Sequence, residues 1–299
     1  MLAHGDLLEL AARLSADSPF GPSLTRRILR YGAPLGCRIT HHHTLPRCMD
    51  LLRDRVRATD RSVPATGEVV WADQLTASQG RFGRHWFAPE GGLHMAFLWA
   101  DTLLPEWSRF LPFAVGIACC ETLSALGVAA TLKWVNDILV RGRKIGGVLT
   151  ETIMAAPQER YLLVGIGLNI NVTSFPGELR GRSTSLQLET GQPYAVQKVL
   201  AHLLARLQWN VGLLCYSEAL GLETLHDRDN PILLRWRQLC DSPGRRVVFG
   251  HDVHKKPLYT GTVLGIDGQG GLMLRLEDGG RITEYAGEIE YLDAPDGQT

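Results

Sequence analysis

Four short stretches of this 299-residue chain carry residue types suited to handling phosphate anions. The first reads Gly80-Arg81-Phe82-Gly83-Arg84-His85-Trp86 and follows Ser78-Gln79. Its glycines let the backbone come close to a ligand. Its arginines offer forked donors matched to phosphate or carboxylate, and Trp86 offers a flat face for a base. The second, Lys133-Trp134-Val135-Asn136-Asp137, sets two charges inside an apolar run. Burying either is costly unless it is paired or used. The third, Lys144-Ile145-Gly146-Gly147-Val148-Leu149, puts a cation before two glycines that leave a surface without side chains. The fourth, Gly165-Ile166-Gly167-Leu168-Asn169, alternates glycine along a strand and closes on an amide. Taken singly, each also reads as an ordinary turn or strand, since Arg-x-x-Arg with glycines is common on surfaces.

The arginine loop lies between two apolar segments, 68–72 and 93–99, that read as strands. Residues 130–140 and 144–151 read as strands joined by the turn Arg141-Gly142-Arg143, which returns Lys144 close to Lys133, Asn136 and Asp137. Residues 161–171 read as the next strand. Upstream, 38–44 read as a strand, 51–58 as a helix and 61–67 as a polar connector. An apolar helix is expected over 112–126, stopped by Gly127, and further helices over 195–213 and 231–239. From residue 244 the chain changes to short strands over 246–250, 256–266, 271–276 and 281–284, with Asp267-Gly268 and Asp278-Gly279 as hairpin signals. Residues 293–299 read as a frayed end.

Composition narrows the possibilities. With 31 basic and 31 acidic residues the formal charge is zero, which argues against a chain built to grip nucleic acid along a broad basic face. No apolar run reaches the length of a membrane span. The start lacks a signal-peptide pattern, and none of the six cysteines forms a Cys-x-x-Cys pair, so reduced thiols in a cytoplasm are expected. Cys119, Cys120, Trp209 and Trp236 read as core. Two opening helices, over 2–14 and 24–31, come without a basic recognition helix or wing, and read as a packing appendage rather than a DNA-binding head. His41, His42 and His43 invite a metal. In a strand only His41 and His43 share a face, and no carboxylate or cysteine sits nearby in sequence, so no metal centre is expected.

In their order along the chain, the four stretches together resemble the biotin protein ligase family, from about residue 45 to the C-terminus. The resemblance implies an α+β fold: a mixed β-sheet with packed helices, of the class II aminoacyl-tRNA synthetase and biotin ligase type, then a small SH3-like β-barrel. It implies a helical appendage at 1–37, a catalytic domain at 38–241 and the barrel at 244–292. Gly80, Arg81, Gly83, Arg84 and Trp86 are similar to the family's nucleotide and phosphate loop. Lys133-Trp134-Val135-Asn136-Asp137 is similar to its Lys-Trp-Pro-Asn-Asp, with Val135 for proline. Lys144 matches the lysine that contacts the activated acyl group, and Gly147 and Leu149, joined by Gly146, match the floor of the biotin pocket. Gly165, Gly167 and Asn169 match the strand near the adenine, and Gly287-Glu288 resembles a segment of the C-terminal domain.

The implied activity is ATP-dependent formation of biotinyl adenylate, then transfer to a lysine of a biotin carboxyl carrier protein. Arg81, Lys133, Asp137 and Lys144 are the implied catalytic set. Magnesium is expected on the phosphates, with Asp137 near it or near the incoming lysine. A monomer or homodimer is implied, with no nucleic acid or membrane as partner. Departures cluster on the biotin side. Arg47-Cys48-Met49 stands where the family usually has Ser-Thr-Asn or Ser-Thr-Met, Leu75 replaces a glutamine, and Gln79 replaces an arginine that often contacts biotin's carboxylate. Arg47 is a candidate to restore that charge, and Gln74 to replace the lost amide by a one-residue slip, although such a slip reverses facing. The first reading is a biotin ligase with a rearranged pocket. The others are a ligase for lipoate or another acid, and a non-catalytic binding protein of the same fold.

Overall fold

The structure, a computed structural model, describes residues 3–16, 18–58, 66–157, 159–220 and 230–292. Most of the connector at 61–67 and the end at 293–299 lie outside them. The helices are α1 (His4–Leu14), α2 (Pro22–Gly32), α3 (Cys48–Arg57), α4 (Pro105–Ser108), α5 (Leu111–Ala125), α6 (Leu186–Thr190), α7 (Val196–Ala219) and α8 (Pro231–Leu239). Strands β1 (Ile39–Leu45), β2 (Val69–Leu75), β3 (Leu93–Ala100), β4 (Thr131–Lys133), β5 (Asp137–Val140), β6 (Arg143–Ala156) and β7 (Glu159–Leu168) form one sheet, ordered β1-β2-β3-β7-β6-β5-β4. Only the β1–β2 pair is parallel, because α3 crosses over between those strands; the rest are antiparallel, so the sheet is mixed.

Alternation along β3 shows how the sheet is covered. Met95, Phe97 and Trp99 enter the large core shared with α5 and α7, while Ala96 and Leu98 enter a smaller core with Cys48, Met49 and Leu52 of α3. Helix α5 is apolar on every side because it is sandwiched, and Cys119 and Cys120 are buried in it. The opening helices pack on α7. A Cβ at Gly32 would lie 1.8 Å from the Gln208 carbonyl oxygen, and one at Gly212 2.4 Å from that of Ile28, so α2 and α7 touch backbone to backbone. Gln208 Nε2 also donates to the Leu35 carbonyl at 2.7 Å. Among the described residues no helix is long and apolar enough to cross a membrane.

Strands β8 (Arg246–Asp252), β9 (Lys256–Ile266), β10 (Leu272–Leu276), β11 (Arg281–Glu284) and β12 (Glu288–Tyr291) form a second, antiparallel sheet ordered β11-β10-β9-β8-β12. The sequence predicts no strand at 288–291; β12 is four residues long and is defined by pairing with the distant β8. Nor is 130–140 one strand. Residues 134–136 turn between β4 and β5, through a cis peptide after Trp134. The turn sends the Trp134 ring inward, where Nε1 donates to the Gly270 carbonyl at 3.1 Å and the ring packs near Phe249. Phe113 and Trp236 pack against each other next to this seam, and Val247, Phe249, Leu272 and Leu274 join the same core cluster as the main sheet. The two sheets therefore share one apolar core.

Trp134 is 2% exposed. Trp134→Ala is expected to cost about 3–5 kcal/mol, against at most about 0.5 kcal/mol for the exposed Leu234→Ala. Urea denaturation of the three proteins measures both values.

Candidate active site

The arginine loop is closed on itself. Gly80 N–H donates to the Arg84 carbonyl at 2.7 Å, Trp86 N–H to the Ser78 carbonyl at 3.3 Å, and the Ser78 hydroxyl to the Trp86 carbonyl. Residues Arg81–Gly83 make one 3-10 turn, with positive φ at Phe82 (57°) and Gly83 (71°). Gly83 thus supplies the freedom expected of it, whereas Gly80 adopts an extended conformation open to any residue. Exposed Phe82 lies under both guanidiniums, 4.9 Å from Arg81 and 5.7 Å from Arg84. The second sheet then fixes the two arginines: Arg81 Nη1 donates to the Gly287 carbonyl at 2.7 Å, and Arg84 pairs with Glu288.

Across the cleft, β4 and β5 put Lys133 opposite Asp137, and β5–β6 put Asp137 opposite Gly147. The Asp137 carboxylate lies 2.5 Å from Lys144 Nζ and 3.5 Å from Lys133 Nζ. Burial alone would raise its pKa. The charges and hydrogen bonds of Lys144 and Lys133 outweigh that and hold it down to about 2. Lys144 Nζ also sits 5.6 Å over the Trp86 ring. Asn136 Nδ2 donates to the Val148 carbonyl at 2.7 Å, which ties the turn to β6.

Between these groups the floor is glycine. A Cβ at Gly167 would meet the Trp86 indole at 2.7 Å, and one at Gly165 would meet Met49 Sδ at 2.7 Å. The first contact lets Trp86 lie flat on β7 and the second seats Met49. Asn169 donates from Nδ2 to the Thr184 carbonyl at 3.0 Å, while its buried Oδ1 has no hydrogen-bond partner among the described residues. The whole cleft holds about 970 Å³, a size ordinary for small-molecule sites.

The structure brings Arg47, Cys48, Gln79, Gly80, Arg81, Arg84, Trp86, Lys133, Asn136, Asp137, Lys144, Gly147, Leu149, Gly167 and Asn169 to this cleft. Trp134 borders it with its ring turned into the core, so it offers no stacking face. Gly146 and Gly83 do not line it. A Cβ at Gly146 would strike Leu168 at 2.4 Å, which makes it a packing glycine. At the acyl end Leu75 faces the cleft, while Gln74 pairs with Thr44 at 2.9 Å away from it, so the one-residue slip does not occur. Arg47 reaches the cleft, but its guanidinium is shared between Glu151 at 2.9 Å and Asp50 at 3.6 Å. The Cys48 thiol donates to the His94 carbonyl, and burial pushes its pKa up to about 12, so it stays protonated.

Sequence reasoning missed several residues at the cleft. His94, 1% exposed, donates through Nε2 to the Pro89 carbonyl at 2.9 Å; burial lowers its pKa and keeps it neutral. A lone titratable residue within the apolar run 93–99 was the signal for it. Arg182, Arg245 and Tyr291 also line the cleft and carry no local signal. The histidine reading needs a correction too. A carboxylate does reach His41 and His43: Asp73, 30 or more positions away, contacts them at 2.8 and 3.1 Å from the adjacent strand. Among the described residues, still, no group of three or more His, Cys, Asp or Glu side chains is arranged to hold a metal ion.

The chain is also similar to known proteins in sequence and in fold. The Biotin/lipoate A/B protein ligase family pattern covers residues 47–171, and the Biotin protein ligase C terminal domain covers 244–292. The Biotin--[acetyl-CoA-carboxylase] ligase of Mycobacterium tuberculosis is 31% identical over 234 residues, 76% of this chain and 79% of that one. The Bifunctional ligase/repressor BirA of Bacillus spizizenii is 30% identical over 231 residues, 75% of this chain but only 66% of that longer protein. A solved biotin protein ligase from Aquifex aeolicus, in complex with biotin and ATP, shares the fold at a TM-score of 0.66 and 24% identity, over 86% of this chain and 99% of that one. On its sequence, its two sheets and the contents of its cleft, this chain belongs to the biotin protein ligase family.

Proposed function

We propose that the chain is an ATP-dependent ligase that activates biotin as biotinyl-5'-AMP and transfers the biotinyl group to one lysine of a biotin carboxyl carrier protein in the cytoplasm. The observation that carries this reading is the gathering of Lys133, Lys144 and the arginine loop around one ionised carboxylate, Asp137, above a glycine floor. In the first step a carboxylate oxygen of biotin bonds to the α-phosphorus of ATP, and the bond to pyrophosphate breaks. Both reactants are anions, so preset cations must neutralise them at close range. In comparable oxyanion sites each such donor is worth roughly 2.7–4 kcal/mol. In the second step the neutral amine of the carrier lysine attacks the acyl carbon and loses a proton, and AMP leaves.

In this reading Trp86, lying on Gly167, and Asn169 flank the nucleotide base. Arg81 and Lys144 take the phosphate that remains in the adenylate. Magnesium enters with the triphosphate. Lysines face both oxygens of Asp137, so that carboxylate is not presented as an open metal ligand, and magnesium is kept only as the counter-ion of the phosphates. A second reading, ligation of lipoate or another carboxylic acid, is favoured by Cys48 and Leu75 at the acyl end, where the family usually has a threonine and a glutamine.

Incubation with ATP, magnesium and equal biotin and lipoate, followed by mass spectrometry of the bound adenylate, decides between the readings. Biotinyl adenylate supports the first and lipoyl adenylate the second; nucleotide bound without any adenylate leaves a binding protein of the same fold. Lys144→Ala should abolish adenylate formation without unfolding the chain; normal turnover sinks its role. Arg81→Gly should release adenylate and label bystander lysines diffusely, which a blot for protein-bound biotin reads directly. Asp137 carries a depressed pKa, so its ion pairs add stability at neutral pH and lose it as pH falls through about 2. The stability gap between wild type and Asp137→Asn should therefore hold steady from about pH 8 to 5 and narrow below about pH 4. A gap that closes between pH 7 and 5 would point to a different titrating group.

A further inference from the structure

Arg245 is the anomalous cation of the cleft. Its side chain is only 20% exposed. Its backbone is pinned on both sides, with N–H donating to the Ser242 carbonyl at 3.1 Å and its carbonyl accepting from Val263 N–H at 2.9 Å. Yet among the described residues the guanidinium makes no hydrogen bond. Its one ion pair, to Asp241 Oδ2, is stretched to 4.0 Å. That carboxylate is already taken, since Tyr291 OH donates to Oδ1 at 2.6 Å and Thr131 Oγ1 to Oδ2 at 3.2 Å. With no acceptor within hydrogen-bond reach among the described residues, its five donors are left open to the cleft, where a ligand can take them. The other cations of the cleft that pair with Asp137, Gly287 and Glu288 are all satisfied.

What lies beside Arg245 says what it is aimed at. Its guanidinium stacks 4.5 Å from the centroid of the Tyr291 ring, and Lys133 Nζ lies 5.4 Å from that same centroid. Tyr291 itself is fixed through its hydroxyl by Asp241 and Ser242. The cleft wall thus runs Lys144, Asp137, Lys133, Tyr291, Arg245, from the cation over Trp86 to one rooted just ahead of β8. A chain of phosphates laid along that wall, with its first phosphate at Lys144, brings its last two to Lys133 and Arg245.

We propose that Arg245 binds the two terminal phosphates of the nucleotide, and so the pyrophosphate that leaves, while making no contact with the phosphate kept in the adenylate. The proposal rests on the nucleotide reading of the cleft. A forked guanidinium takes two phosphate oxygens at once, and such charged hydrogen bonds are the strong ones.

Calorimetric titration of the full chain with ATP, inorganic pyrophosphate and AMP separates the possibilities. Arg245→Gln should weaken ATP and pyrophosphate by about ten- to a hundredfold and leave AMP within about twofold. Arg245→Lys, which keeps the charge and loses the fork, should recover part of that loss. Equal weakening of ATP and AMP, or unchanged ATP affinity, overturns the proposal, and so does a lysine variant no better than glutamine whose melting temperature has fallen. A wild-type chain that binds neither ATP nor AMP removes the nucleotide reading itself, whereas one that binds both with a silent Arg245→Gln removes only the role of Arg245.

Discussion

A site for two anions needs several cations in one cleft before either anion arrives, and like charges resist that. At an effective dielectric of about 20, two positive charges about 6 Å apart repel by about 3 kcal/mol. Here a single carboxylate relieves the strain. Asp137 takes Lys144 on one oxygen and Lys133 on the other, from a strand position that a one-residue register shift would turn to the other face. The hairpin serves this arrangement. Gly147 stands opposite Asp137, and the Lys144 side chain runs back across it, with Cε 3.5 Å from where a Cβ would be. Asn136, bonded to Val148, keeps the turn that precedes Asp137 from opening.

The arginine loop solves the same problem with the second sheet. Arg84 is balanced by Glu288, and Arg81 leans on the Gly287 carbonyl. The Gly287 position tolerates no side chain: its φ is 124° and a Cβ would lie 2.6 Å from the Phe249 ring. Phe249 in turn packs near Trp134, the residue between Lys133 and the Asp137 turn. So the two halves of the charge cluster, one on each side of the cleft, are joined through one aromatic seam rather than through the cleft itself. A phosphate that draws Arg84 toward the first sheet competes with Glu288, and therefore with the position of β12.

The sequence announced what depends on local spacing. Glycine at alternate positions of 165–167, two charges in the apolar run 133–137 and the paired arginines at 81 and 84 are all visible without a fold. The alternation rule also identified which of His41, His42 and His43 share a face. What stayed hidden is what only the tertiary fold brings together. Asp73 reaches the histidines because β1 and β2 run parallel. Tyr291 reaches Lys133, and carries Arg245 beside it, because the second sheet docks on Trp134. Trp134 counts as a binding residue by its place in the motif, and its burial and its bond to the Gly270 carbonyl show it to be core.

The end of the cleft beside α3 is built differently from the end around Asp137. Arg47, Arg53, Asp50 and Glu151 form a closed set of two cations and two anions, so Arg47 brings little net positive potential to the cleft. Cys48 and His94 beside it are both uncharged, and Leu75 turns an apolar face inward because β-strand alternation sends Gln74 to the other side. In the proposed reaction, a carboxylate entering from that end would meet no net positive charge until it reached Arg81 and the two lysines that share Asp137. Its neutralisation would then coincide with its arrival at the phosphate, where that reaction needs the charge for chemistry rather than for capture. The apolar walls then discriminate by shape, and in an apolar pocket one methylene of misfit is worth only about 1–3 kcal/mol. In the proposed reaction, fidelity for one acid over another would rest on the few polar groups that line this end, chiefly Arg47, Gln79 and the imidazole of His94.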